Sequence, residues 1–597
     1  MRPNIKIVPA LAALASTGVC AASLNDVCTS AFARTALPSP SFYQGITIDN
    51  SSIVATAVYN TSVSAQVMFP DATFDYCNIT FTYSHDGRDD KVALSYWLPA
   101  PKNFKHRFLS TGGGGYLISS GSGSLPGGVM YGAVAGTTDA GFGSLTTNFN
   151  EVYLLANGTP NYQNLYMFGY QAIHEMSVLG KEFTRLFYEM NQTKLYSYYQ
   201  GKSSLHVPAK MQTDHSIGCS EGGRDGWSQI QRFADQWDGA VVGAPAFRFA
   251  FQQVQHAYSD IVEQTMNYFP PPCELEKILN ETTKACDSLD GKVDGVVART
   301  DLCKIHFDIS DIIGTPYSCA AASVPMSFPS HPAWPAQNGT VSAKGVAVAE
   351  KIIEGLRDSK GRQVYLSYQP SAQFVDAFTQ YNVNTSEFEL WPSDFAAAFV
   401  LPFLQQANQT SFDNLTGVTY DTLKDWIYQG WQEYADTLHT TWPDLTPFHE
   451  AGGKILHYHG ESDFSIPTAS SVHYRESVRK VMYPHLSYNA SNNALNDWYR
   501  LYLIPGAGHC DVNPYQPNGP FPQTNLAVLI DWVEKGKKPE TLNSTVLQGE
   551  HLGENRQVCA WPLRPRWRGG GEMECEYDQR SVDQWQVELD AFKMPVY

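Results

Sequence analysis

Ser220 lies in Gly218-Cys219-Ser220-Glu221-Gly222, a G-x-S-x-G match, and His509 lies in Pro505-Gly506-Ala507-Gly508-His509-Cys510. Serine becomes a nucleophile when a base comes within hydrogen-bond reach, about 2.6–3.2 Å. Each of the two residues has a cysteine beside it. If the serine and the histidine meet, Cys219 and Cys510 come close as well, and a disulfide needs Cα atoms roughly 4.4–6.8 Å apart. The two dipeptides therefore predict a nucleophile–base pair with a covalent staple directly behind it.

A Ser–His pair needs an acid to orient the imidazole, and in α/β-hydrolases the chain order is serine, acid, histidine. Asp463 follows the strand-like Lys454–His459 within His459-Gly460-Glu461-Ser462-Asp463, and it is the expected acid; Glu461 and Asp511 compete for the role. The oxyanion of an acyl-transfer reaction needs two backbone N–H donors. One is expected at Glu221, the residue after the nucleophile. The other is expected near Gly114 in Thr111-Gly112-Gly113-Gly114-Gly115-Tyr116, where bare backbone lets an acyl group approach.

A second cluster runs from Cys286 to Val296 and holds Asp287, Asp290 and Asp294 with Gly291 and Gly295. Calcium takes six to eight oxygens, so such a loop suggests a hard-cation site. The spacing is not that of an EF-hand, and an ordinary Asp/Gly turn is the alternative.

The elements that must position these groups alternate between strand and helix. Lys91–Leu98, Arg107–Ser110, Leu195–Gly201, Gly239–Pro245, Lys454–Gly460 and Leu501–Ile504 read as strands; Gln171–Tyr188, Gly223–Phe233, Ser470–Val481 and Asn525–Glu534 read as helices. The alternation predicts an α/β fold. Between about 247 and 447 the texture changes to Pro-rich turns, cysteines and short helices. The expectation is an α/β-hydrolase domain over 23–246 and 448–597, interrupted by an inserted lid over 247–447.

The chain has 597 residues and a formal charge of -18. An acidic surface argues against nucleic acid and anionic membranes as partners. The N-terminus, with Arg2, Lys6, an apolar Ile7–Ala15 and small residues at Val19-Cys20-Ala21-Ala22, reads as a signal peptide over 1–22 and predicts a secreted protein. Its removal leaves an even set of cysteines, which in an oxidising compartment suggests disulfides. After Cys219–Cys510, the expected pairs are Cys559–Cys575 and Cys28–Cys77, then Cys286–Cys303 and Cys273–Cys319. Numerous N-x-S/T sequons, from Asn50 to Asn543, predict N-glycans.

Taken together, Gly-Cys-Ser-Glu-Gly-Gly at 218–223, His459-Gly460-Glu461-Ser462-Asp463 and Gly508-His509-Cys510 resemble the fungal tannase and feruloyl esterase family. Tyr268-Phe269-Pro270-Pro271-Pro272-Cys273-Glu274-Leu275 and Val242–Phe249 resemble its tannases in particular. The resemblance implies Ser220, Asp463 and His509 as the triad. It also implies a structural calcium held by Asp287, Asp290 and Asp294 with the carbonyls of Lys292 and Val296, and no organic cofactor. The implied activity is hydrolysis of galloyl ester and depside bonds. A feruloyl esterase is the alternative, and a calcium-dependent polyphenol- or glycan-binding glycoprotein without turnover is the alternative of another class.

The sequence departs from that pattern at one place. In similar tannases the glycine that ends the strand Leu195–Gly201 is followed at once by Cys-Ser, whereas here Lys202 to Gly218 intervene. The segment is polar and contains Pro208. It reads either as a retained intron, since its ends can be encoded with splice signals in frame, or as a surface loop.

Overall fold

The computed structural model describes residues 22–143, 152–201, 219–324, 331–569 and 571–597. The signal-peptide and 202–218 expectations fall outside the described residues, apart from Ala22.

A nine-stranded sheet organises the molecule. Its strands are β1 (Ile46–Val63), β2 (Ala72–His85), β3 (Val92–Pro99), β4 (Arg107–Gly112), β5 (Ala133–Thr138), β6 (Tyr196–Gly201), β7 (Gly239–Gly243), β8 (Lys454–Gly460) and β9 (Tyr499–Ile504). They lie in the order β1-β2-β3-β5-β4-β6-β7-β8-β9. The first three strands and the β3–β5 pair are antiparallel, and every later pair is parallel. Parallel strands need crossovers that cover both faces. Neighbouring residues therefore point into two separate cores: Tyr198, Val241, Leu456 and Tyr502 enter one, while Tyr199, Val242, Ile455 and Leu501 enter the other.

The helices that matter below are α1 (Ala172–Phe187), α2 (Glu221–Arg232), α3 (Phe249–Gln255), α4 (Tyr258–Met266), α5 (Pro272–Cys286), α6 (Thr468–Met482) and α7 (Asn525–Lys535). α1 packs on β4 and β5, α2 on β4, β6 and β7, and α7 on β7 and β8. Among the described residues, none between β7 and β8 joins the main sheet. That stretch carries α3, α4, α5 and short hairpins instead. Among the described residues no helix is long and apolar enough to cross a membrane.

Five disulfides join Cys28 to Cys77, Cys219 to Cys510, Cys273 to Cys319, Cys286 to Cys303 and Cys559 to Cys575. The first ties the N-terminal helical turns to β2. The third and fourth tie α5 to a hairpin and to the helix Thr300–His306.

Candidate active site

β7 ends at Gly243, and its carbonyl accepts the Ser220 amide at 3.2 Å, so the nucleophile candidate sits at the carboxyl edge of the parallel strands. Ser220 has φ 60 and ψ -115, a conformation that side chains other than glycine rarely adopt. The surroundings hold it there. A Cβ on Gly222 would lie 2.7 Å from the Gly113 carbonyl oxygen, and one on Gly223 would lie 2.3 Å from that of Gly243. Only glycines let the turn close this tightly, which is the mechanical reason for the motif. The end of β6 abuts the same turn, because a Cβ on Gly201 would lie 2.4 Å from the Gly222 oxygen.

The loop after β8 places Asp463 fully out of solvent, and the loop after β9 places His509 against it. His509 Nδ1 lies 2.9 and 3.0 Å from the two carboxylate oxygens. Nδ1–H thus donates, and the Nε2 lone pair is left for a proton from serine. Burial alone would push the Asp463 carboxyl up. The electrostatic attraction of the adjoining His509 ring and the hydrogen bonds that His459 and His509 donate outweigh it and hold the acid well below the usual carboxylate range. Amides of Ser465 and Ile466 donate to Oδ1 at 2.8 Å each and fix its rotamer. The Cys219–Cys510 bridge, with Cα atoms 5.6 Å apart, sets the backbones of Ser220 and His509 side by side. Among the described residues no hydrogen bond yet closes between Ser220 Oγ and His509 Nε2. Such bonds commonly tighten only when substrate is present.

The competing acids are engaged elsewhere. Glu461 is buried against Arg564 at 2.6 Å and accepts from Thr300. Asp511 accepts the amide of Val512.

The Glu221 amide, at the first turn of α2, donates to no acceptor among the described residues. The expectation for Gly114 requires correction. Its N–H donates to the Leu117 carbonyl at 3.0 Å in a tight turn, so it is not available to an oxyanion. The Gly113 amide is likewise taken, by Asp225 Oδ2 at 3.2 Å. The amide of Gly115, which has φ 62 and open space where a Cβ would stand, donates to no acceptor among the described residues. Sequence could not distinguish four consecutive glycines; the turn geometry does.

Sequence reasoning also missed what surrounds the acid. His459 Nε2 lies 3.1 Å from Asp463 Oδ2, and its Nδ1 lies 2.7 Å from Ser471 Oγ. That hydroxyl is 2.9 Å from His457 Nε2, and His457 Nδ1 is 2.9 Å from the Tyr499 hydroxyl. All five groups are buried, and burial keeps His457 well below its usual pKa, hence neutral. One direction satisfies every group: Tyr499 O–H donates to His457, His457 Nε2–H to Ser471, Ser471 O–H to His459, and His459 Nε2–H to Asp463. The signal was present as His-Tyr-His on β8, where alternation sends both imidazoles to one face.

Across the site, α3 reaches both catalytic loops. Gln252 donates to the Ser465 carbonyl, and Gln253 accepts from the Tyr116 hydroxyl of the glycine loop at 2.9 Å. His256 lies just beyond α3, 2.9 Å from Asp376.

In the aspartate loop, Asp287 accepts the amides of Asp294, Gly295 and Val296. Asp294 is paired with Arg556 at 2.7 Å, and Lys292 is 3.4 Å from it. Asp290, Asp294 and Val296 line one small cavity of about 20 Å³. Among the described residues no three His, Cys, Asp or Glu side chains stand close enough together to hold a metal as arranged.

A serine in a strained turn that opens a helix, a histidine held by a buried aspartate and, after the serine, an amide with no acceptor among the described residues, all at the carboxyl edge of parallel strands, define a serine hydrolase of the α/β-hydrolase type. The comparisons narrow the class. The profile described as "Tannase and feruloyl esterase" matches residues 77–205 and 209–582, and the chain belongs to that family, whose members are ester hydrolases. It is 47% identical to a tannase of Aspergillus oryzae over 98% of this chain and 99% of that one. A solved tannin acyl hydrolase from Aspergillus niger superposes with a TM-score of 0.90 at 58% identity, covering 96% of this chain and 99% of that chain. Feruloyl esterase B from Aspergillus oryzae superposes with a TM-score of 0.65 at 25% identity, covering 89% of this chain and 97% of that one.

Proposed function

We propose that this protein hydrolyses galloyl ester and depside bonds of hydrolysable tannins and releases gallate. The observation that carries the chemistry is the Asp463–His509 hydrogen bond beside the strained Ser220 turn. The substrate rests on the much higher identity to tannases than to feruloyl esterases. His509 Nε2 takes the Ser220 proton as Oγ attacks the ester carbonyl, and Asp463 stabilises the imidazolium that forms. The amides of Glu221 and Gly115 receive the oxyanion, and His509 then activates water to release the acid. No organic cofactor takes part.

Turnover of methyl gallate against methyl ferulate tests the substrate. A preference for gallate is expected, and equal or reversed preference refutes it. Labelling of Ser220 by a fluorophosphonate separates an enzyme from a polyphenol-binding glycoprotein.

Residues 247–447 act in this reading as a lid, with α3 as the part that reaches the triad. The signal peptide, the sequons and five disulfides support an extracellular glycoprotein. A structural calcium belongs to the same reading. Burial, then the charges of Asp294 and Asp287, push Asp290 up to about 7, so these carboxylates crowd one another in the loop. The cavity it shares with Asp294 holds about one water-sized particle. Asp287, Asp290 and Asp294 with the carbonyls of Lys292 and Val296 would supply the oxygens. Chelator-treated protein should unfold at lower temperature and regain stability with added calcium; an unchanged melting curve refutes the site.

A further inference from the structure

A second cavity, lined by the 247–447 region and by Tyr515 and not by Ser220, Asp463 or His509, is tied to the catalytic loops through the chain. Its volume is about 110 Å³, and Glu276, His331, Trp334, Gln373, Phe378 and Tyr515 line it. That is well below the roughly 300 Å³ of a pocket for a whole ligand, and suits one flat ring entering edge-on.

Its chemistry is that of a ring with hydroxyls. Trp334 and His331 pack with centroids 4.0 Å apart, and Phe378 stands 6.0 Å from Trp334 and 5.4 Å from His331, giving an aromatic wall. The rim is polar. Tyr515 lines the slot beside Gln373 and lies close enough to Glu276 to feel its charge; burial first, then that charge, push the phenol up to about 12 and keep it a donor. Glu276, on the exposed face of α5, makes no hydrogen bond or ion pair with any described residue. A carboxylate acceptor above an aromatic wall suits phenolic O–H groups on a stacked ring.

The position connects the cavity to catalysis. Tyr515 follows His509 by six residues, a span of at most about 20 Å. Its neighbour Gln516 donates to Ser462 Oγ at 2.7 Å, next to Asp463. Gln373 and Phe378 flank Asp376, the partner of His256 beside α3. The slot therefore shares with the catalytic loops the segment that follows His509, and a second of its walls, 373–378, carries the Asp376 that holds His256 beside α3.

We propose that this slot binds a second galloyl ring of the same substrate molecule, remote from the ester being cleaved, with the ring on Trp334 and Phe378 and its hydroxyls on Glu276 and Gln373. The proposal rests on the galloyl-esterase reading above. It makes polygalloylated sugars better substrates than simple gallate esters, through binding and not through chemistry.

The test uses the full-length enzyme with Trp334→Ala and, separately, Glu276→Gln, the latter on an exposed helix face where folding is not at stake. Each is assayed with methyl gallate and with pentagalloyl glucose. Losing one ring-stacking contact should raise KM for pentagalloyl glucose about three- to tenfold with kcat unchanged, and leave both constants for methyl gallate unchanged. Equal changes for the two substrates, or no change for either in both variants, overturn the slot. Absence of methyl gallate turnover by the unaltered enzyme overturns the underlying reading, and the slot with it, and is distinguishable because it needs no variant.

Discussion

His459 offers the sharpest test of how the acid works. Asp463 accepts from four donors: His509 Nδ1, His459 Nε2 and the amides of Ser465 and Ile466. Replacing His459 by leucine removes one of the four. A hydrogen bond to a charged group is worth about 1.5–3 kcal/mol. With two amides still fixing the carboxylate, the loss should fall at the low end, about 1.5 kcal/mol, and a factor of ten in rate is 1.36 kcal/mol. Asp463 acts on the imidazolium, which exists only in the transition state, so kcat should fall about tenfold with KM unchanged. His459→Gln, whose amide nitrogen can reach the same oxygen, should recover most of the rate. Ser471→Ala breaks the chain one link further out and should cost less. Steady-state kinetics with methyl gallate, on variants whose circular dichroism matches the parent, reads all three. An unchanged kcat in His459→Leu would show that the second imidazole contributes nothing to the acid. A loss of a thousandfold or more with the fold intact would mean that His459, not His509, holds the essential proton.

Other outcomes follow from the same structure. Cys219→Ala with Cys510→Ala should lower kcat at least tenfold while secondary structure persists, since the bridge sets the approach of Ser220 to His509; unchanged kinetics refute that role. Glu263 is fully buried on α4, and neither of its carboxylate oxygens has a hydrogen-bond partner among the described residues; burial first, then the Asp260 charge, raise its pKa well above the usual value. A raised folded-state pKa gives stability that is complete below the unfolded value near 4.5 and is lost as pH climbs toward the folded one. Glu263→Gln should therefore stabilise by about 1–3 kcal/mol at pH 7 and by nothing at pH 4, as read in thermal unfolding; a gain equal at both pH values contradicts this. Deleting Lys202 to Gly218 joins Gly201, already packed against Gly222, to Cys219, and the shortened chain should be secreted and active. Transcripts that encode the whole segment, together with an inactive deletion, would identify it as a native loop.

Much of the fold was legible because parallel strands are continuous apolar runs. Lys454–Gly460 is a strand over those same residues, and the helix expected at Asn525–Glu534 runs one residue further. β1 and β2 escaped notice. β1 is a long antiparallel strand at the sheet edge, rich in Thr, Ser and Asn, whose exposed residues follow no strict alternation; β2, beside it, alternates over 77–85 with Asn and Thr on its half-exposed side. The helix expected from Gln171 begins at Ala172 because a wider turn, Met167–Gln171, precedes it. Arg224 donates to the carbonyls of Phe168 and Gly169 in that turn, a contact between distant segments that no local pattern encodes. The triad residues could be named from chain order and spacing. The choice of amide among Gly112–Gly115 could not, because it depends on Asp225 and Leu117 taking two of them.

The Cys219–Cys510 bridge spans a sequence separation of 291 and makes the polypeptide between its ends a closed covalent ring. The whole region between β7 and β8 lies within that ring. A protease that cuts an exposed loop there opens the ring without dividing the molecule, and Ser220 and His509 stay tethered beside each other on what are then two peptides. Nicked enzyme should migrate as one band without reductant and as two with it, and should keep its activity in the first state. Such a tether separates wear of the backbone from loss of the site.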